Sequence, residues 1–144
     1  VTTFGPYKAT VVEIHDGDTF DVDLVLVRSR ARRHVADRDL GFNVHQVSGR
    51  GVVLERQSVR LFGCNAPELA TDAGKAALAY LQTVLHVGDE VTLISHGWDK
   101  YGGRIDGSVT LSDGRDLAAV MIAADQAAPW DGKGTKPVPQ ENQA

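Results

Sequence analysis

"YKATVVEIHDGDTFDVDLVLV", residues 7 to 27, decides the fold, because it holds two alternating, β-branched runs broken once by Asp16-Gly17. Asp-Gly is a turn pair, so the stretch reads as two successive strands, 7–15 and 18–27. In the second strand Phe20, Val22, Leu24 and Leu26 share one face while Asp21 and Asp23 fall on the other. The apolar face asks for a core and the acidic face for water. Asp16 belongs to the turn, and Asp18 stands at the start of the second strand.

Working outward, "QSVRLFGC" at 57–64 reads as a third strand, whose nearly continuous apolar run suggests cover on both faces. It ends at "NAPE", a loop closed by Pro67. From Thr71 to Leu85 the period changes: Ala77, Leu78, Leu81, Val84 and Leu85 recur at helical spacing behind Thr71 or Asp72 as N-cap. "HVGDE" stops that helix, "EVTLISH" and "GGRIDGSVTLS" read as two more strands, and "SDGRDLAAVMIAADQA" turns into a second, shorter helix. Three strands, a helix, two strands and a helix is the order of a mainly β, five-stranded OB-fold Greek-key barrel, with one helix between strands 3 and 4 and another at the C-terminal end. Residues 1–127 are expected to form this single domain. The tail, 128–144, "APWDGKGTKPVPQENQA", is rich in Gly and Pro and reads as irregular.

The segment at about 28–56 is the odd part. It is an insertion carrying Arg28, Arg30, Arg32, Arg33, Arg38, Arg50 and Arg56, nearly half of the chain's 15 basic residues. A stretch this long without helical periodicity is more often functional or disordered than core. Within it "DLGFNVHQV" and "GVVLE" can pair as extensions of the neighbouring strands. Its arginines suit the backbone of a nucleic acid as well as they suit water.

Length and composition bound the rest. The 144 residues, 42% apolar and 24% charged, suffice for one core. The net charge of −4 argues against coating nucleic acid through overall charge, though not against a local basic groove. A single cysteine, Cys64, leaves no intramolecular disulfide or thiol pair, and reads as a small buried side chain. His15, His34, His45, His86 and His96 show no ligand spacing. No apolar run approaches the roughly 18 residues of a membrane span, and no basic segment precedes an apolar block at the start. The expectation is a soluble monomer without a membrane partner, cytoplasmic or secreted after loss of a signal peptide.

Arg60 is the first residue to suggest chemistry. It is a lone cation inside "VRLFGC", where a guanidinium needs an anion to offset its desolvation, and a phosphate meets that need. With it stand "DGDT" at 16–19, "NAPE" at 65–68 and "DKYGGR" at 99–104, all at strand ends where a small barrel brings side chains together. Together, in this order, "DGDT", "VRLFGCNAPE" and "DKYGGR" resemble the three signature stretches of the staphylococcal nuclease (thermonuclease-like) family, and the similarity runs from about Ala9 to Gln126.

The resemblance implies an OB-fold, Ca²⁺-dependent nuclease that hydrolyses phosphodiester bonds of DNA and/or RNA. It implies Asp18 as a metal carboxylate, with Asn65 and the Ala66 carbonyl beside it. It implies Arg60 and Arg104 as phosphate-binding arginines and Glu68 as general base. Lys100 and Tyr101 match positions that contact a terminal phosphate, and Trp130 falls near the family's base-stacking aromatics. The set is chemically coherent: a phosphodiester repels a nucleophile, so cations must meet its oxygens, a hard metal must share developing charge, and a carboxylate must deprotonate water. Oxygen donors without Cys or His suit Ca²⁺. The chain departs from the pattern in several places: Asn65 replaces a second acidic ligand, Ala66 follows it where the family has a hydroxyl residue, "YGGR" holds an extra glycine, and the family's third helix is missing. Loss of that charge motivates a rival expectation, a non-catalytic OB-fold nucleic-acid-binding module.

Overall fold

In the computed structural model, which describes residues 3–28, 44–47, 51–99 and 102–139, the opening stretch forms β1 (Phe4–Asp16) and β2 (Thr19–Arg28), paired antiparallel. Asp16 Oδ1 accepts a hydrogen bond from the Asp18 amide at 3.1 Å, so the aspartate closes its own turn. Gly17 is buried beneath the next helix, where a Cβ would lie 2.8 Å from that of Ala77 and 2.9 Å from that of Ala66. Space, rather than backbone freedom, requires a glycine there.

The chain continues through β3 (Val44–Val47), β4 (Gly51–Leu61), β5 (Cys64–Asn65), α1 (Asp72–Val84), β6 (Glu90–Trp98), β7 (Arg104–Thr110), α2 (Leu117–Ala123) and β8 (Ala128–Pro129). β2, β1, β6, β7 and β4 are hydrogen-bonded in that order, and β2 pairs again with β4, so five strands close into a barrel of OB-fold type. All these ladders are antiparallel except β4 with β7. Phe20, Val22 and Leu24 from β2, Val59 and Leu61 from β4, Leu93 from β6 and Val109 from β7 fill the interior. Each contributes about 1.5–3 kcal/mol by leaving water. Asp21 and Asp23 lie on the outer face, partly exposed, as the alternation requires.

The third strand is longer than the 57–64 run suggested: β4 starts at Gly51, and Cys64 belongs to the separate β5. Within the basic insertion β3 pairs with β4 from Val44↔Leu54 to Val47↔Gly51, the extension that "NVHQV" and "GVVLE" allowed. Residues 29–43 and 48–50, with Arg30, Arg32, Arg33, Arg38 and Arg50, lie outside the described residues. Pairing of β2 with β4 slips between Val22↔Gln57 and Leu24↔Leu54, where Arg56 takes φ 50°. Asp23 Oδ1 holds the Arg56 amide at 3.0 Å, and the Arg56 guanidinium reaches Glu13 at 3.3 Å. This bulge puts both Leu54 and Gln57 inward, three residues apart, and so hides the strand period from a two-residue reading.

Thr71 is the N-cap of α1, accepting from the Gly74 amide at 2.9 Å, and Gly74, Ala77 and Leu81 are its buried residues. A Cβ on Gly74 would stand 1.9 Å from the Glu68 carbonyl oxygen, which is backbone and cannot swing aside. Gly74→Ala is therefore expected to destabilise by about 2–4 kcal/mol despite alanine's better helix propensity, as a urea titration would read directly. Asp116 caps α2 through the Ala119 amide at 3.0 Å.

The tail is less irregular than its composition suggested. Ala128 and Pro129 pair with Asn65 and Cys64, the Trp130 amide donates to the Gly63 carbonyl at 3.0 Å, and the Asn65 carboxamide donates to the Pro137 carbonyl at 3.0 Å. Residues 128–137 thus strap one end of the barrel. No helix among the described residues is long and apolar enough to cross a membrane.

Candidate active site

The parallel ladder of β4 and β7 sets the site. Val59 pairs with Ile105, and both point inward; Arg60 pairs with Asp106 and Ser58 with Arg104, so these four project from the outer face. Two strands bring both arginines to one surface although 43 residues separate them in the chain. A cavity of about 310 Å³ opens there, lined by Arg60, Phe62, Gly63, Trp98, Asp99, Arg104, Asp106 and, from the strap, Trp130, Asp131, Gly132, Lys133 and Lys136.

Arg60 is nearly buried, its side chain 12% exposed. Its guanidinium donates to Asn65 Oδ1 at 2.9 Å and to the Cys64 carbonyl at 3.5 Å, and lies 3.5 Å from Asp18 Oδ2. Its Cζ stands 5.1 Å from the centroid of the Trp130 ring, within cation–π range. Trp130 is in turn held by its indole N–H on the Lys133 carbonyl, 2.8 Å away. Arg104 donates through Nε to Asp99 Oδ2 at 2.7 Å and is 38% exposed, and among the described residues its terminal nitrogens have no hydrogen-bond partner.

Asp18 is buried beside this wall. Its Oδ2 accepts from the Ala66 amide at 2.8 Å, and its Oδ1 from the Thr19 hydroxyl at 3.2 Å. Burial pushes its carboxyl up to about 6, and the neighbouring Asp16 adds to the rise, while the Ala66 N–H and Arg60 oppose it. Asp18 is thus a desolvated carboxylate that its partners compensate only in part. Asp18, the Asn65 carboxamide and the Ala66 carbonyl all offer oxygen donors, and an under-compensated buried carboxylate is what a hard cation would neutralise. In chemical terms these residues fit a hard, oxygen-ligated cation. Asn65, however, has both ends engaged, Oδ1 by Arg60 and Nδ2 by Pro137.

Glu68 lies exposed on the loop between β5 and α1, and its carbonyl accepts from the Thr71 amide and hydroxyl at 3.0 and 2.7 Å. Neither Glu68 nor Asp18, Asn65 and Ala66 lines the cavity; Arg60 is the group that joins Asp18 and Asn65 to it. Lys100 and Tyr101 lie outside the described residues. Burial pushes the Cys64 thiol up to about 12, which keeps it a neutral core side chain.

Several cavity residues were not singled out by sequence reasoning. Asp106 is a lone acid in the alternation of "RIDGSVT", and Lys133 and Lys136 are scattered through a Gly-rich tail. Only the β4–β7 register and the strap place them beside Arg60. The histidines are also less inert than their spacing suggested: Glu13 pairs with Asp21 across the β1–β2 ladder, and His15 reaches Asp21 Oδ2 at 3.0 Å and Glu13 Oε2 at 3.7 Å. One donor atom from each lies within 4.8 Å of the others, a group that could hold a metal ion. It stands apart from the cavity-lining residues, with Glu13 also paired to Arg56.

The chain matches no protein-family model, and no curated protein matches it.

Proposed function

We propose that this protein is a staphylococcal nuclease-like phosphodiesterase, a Ca²⁺-dependent hydrolase of DNA and/or RNA. One observation carries the reading: Arg60, whose apolar context asks for an anion, and Arg104, which the resemblance pairs with it, line a single cavity with Trp130 and two lysines. Planar guanidinium groups meet phosphate oxygens two at a time, and an indole face takes a base. Arg60 and Arg104 hold the non-bridging oxygens, and Lys133 and Lys136 attract the chain around the scissile bond. Asp18, the Asn65 carboxamide and the Ala66 carbonyl would hold the cation, which when bound would share the charge that develops on phosphate oxygens. Glu68 accepts the proton of the attacking water, a role that its exposed loop position leaves accessible to solvent.

A second reading, a non-catalytic nucleic-acid-binding module, is favoured by the position of Glu68 away from the cavity lining and by the two bonds that occupy Asn65. Supercoiled plasmid and single-stranded oligonucleotides, incubated with the purified protein in Ca²⁺ or EDTA, separate the two. Cleavage that needs Ca²⁺ is the expected result, and Glu68→Gln should lower turnover about 100-fold or more with little change in affinity. Tight binding without cleavage under both conditions would establish the binding module instead.

A further inference from the structure

The cavity contains a carboxylate that an anion site has no need of. Asp106 projects from β7 as the ladder partner of Arg60, two residues along from Arg104 and on the same face. It is partly buried, it lines the cavity, and among the described residues its carboxylate has no hydrogen bond or ion pair. The groups that act on it come from each neighbouring element: Arg60 on β4, His96 on β6, Asp99 just beyond β6 and Arg104 on β7. Across the opening stand Lys133, Lys136 and Asp131 of the strap. His96 is already committed, its Nε2 2.7 Å from the Ser108 hydroxyl and its ring stacked on Phe62 at 3.8 Å.

The two arginines do not meet a ligand with their full charge. Arg60 faces Asp18 and Asn65, and Arg104 is bonded to Asp99. Four cations and three carboxylates line the cavity, so its formal charge is +1, and Asp106 is the acid placed between the two arginines. A phosphate held by both arginines lies against Asp106. A monoanion leaves the arginines' donors satisfied with little repulsion. The second negative charge of a terminal phosphate meets Asp106 at close range in a partly desolvated wall, at a cost of about one to two powers of ten in affinity.

We propose that Asp106 is a specificity-determining residue that admits the monoanionic internal phosphodiester and turns away the dianionic terminal phosphate. The inference rests on the phosphodiester reading of the same cavity and deepens it: the substrate is the interior of a strand rather than its phosphorylated end. Exclusion by an acidic wall is selection through repulsion, which sharpens specificity without adding a favourable contact.

The test is calorimetry at pH 8 in EDTA, where a phosphate monoester is fully dianionic and Ca²⁺-dependent turnover is suppressed. The ligands are thymidine 5′-phosphate and its methyl diester, and the proteins are the parent, Asp106→Asn, Asp106→Ser and, as a charge control, Asp131→Asn. The parent is expected to bind the diester at least as tightly as the monoester. Both Asp106 variants should gain about tenfold or more for the monoester and much less for the diester, while Asp131→Asn, exposed at the rim, should shift both ligands alike. Equal shifts for the two ligands in the Asp106 variants, or a monoester gain in Asp131→Asn as large as in Asp106→Asn, would overturn the role of Asp106 and leave the phosphodiester reading standing. A parent that binds neither ligand, in EDTA or with Ca²⁺ added, would overturn that reading and this inference with it.

Discussion

Arg60→Ala is expected to lower stability by about 3–5 kcal/mol and, if the cavity holds a phosphodiester as proposed, to abolish phosphate binding at the same time. The guanidinium is nearly buried, and it serves the Asn65 carboxamide, the Cys64 carbonyl, the Asp18 carboxylate and the Trp130 ring at once. Truncation leaves a buried carboxylate without a cation and two buried acceptors without a donor, which is costlier than the loss of the contacts themselves. Arg60→Lys separates the two losses. A lysine returns a charge near Asp18 and should recover part of the stability, but one ammonium cannot span Asn65, Cys64 and a phosphate together, so catalysis should stay impaired. Chemical denaturation and nuclease assays on both variants would decide the matter; an alanine variant as stable as its parent would show that the network contributes nothing.

Asp18→Asn is expected to act in opposite directions on stability and activity. With its carboxyl lifted from 3.8 to about 6, Asp18 binds a proton more tightly in the folded chain than in the unfolded one. Its protonated form therefore stabilises the fold fully below pH about 4, and that contribution is lost as pH rises through about 6. At pH 7 the ionised group weighs on the order of 3 kcal/mol against folding, a figure already net of what Arg60 and the Ala66 amide return. An asparagine removes the ionisation and keeps an acceptor for the Ala66 amide, for a net gain of about 1–2 kcal/mol at pH 7 and none at pH 4. Ca²⁺-dependent cleavage should fall about 10³-fold, because the one carboxylate of the donor set is gone. Thermal melts between pH 4 and 8, with and without Ca²⁺, are the measurement. Ca²⁺ should raise the melting temperature of the parent and leave the variant where it was; a parent indifferent to Ca²⁺ would remove Asp18 from metal binding.

The barrel was legible because its strands alternate cleanly where they face a core on one side. Phe20, Val22 and Leu24 announce their face, and "QSVRL" shows the next strand once Gln57 is passed. Its beginning was not legible, since the Arg56 bulge sets Leu54 and Gln57 three residues apart and breaks the period that a reader counts. Arg60 could be recognised as unusual from its apolar neighbours alone. Asp106 could not, because an acid on the outer side of an alternating strand looks solvated until the parallel ladder places it beside Arg60. The strap escaped for a different reason. Its bonds to Gly63 and Asn65 are made by backbone groups and a carboxamide rather than by an apolar pattern, so composition suggested only turns.

That strap also orders events in time. The cavity takes Trp130, Asp131, Gly132, Lys133 and Lys136 from residues that leave the ribosome after all five barrel strands. A nascent chain can therefore complete its barrel while the wall opposite Arg60 is still inside the exit tunnel. Until Pro137 emerges to meet Asn65, the barrel lacks the strap side of that cavity.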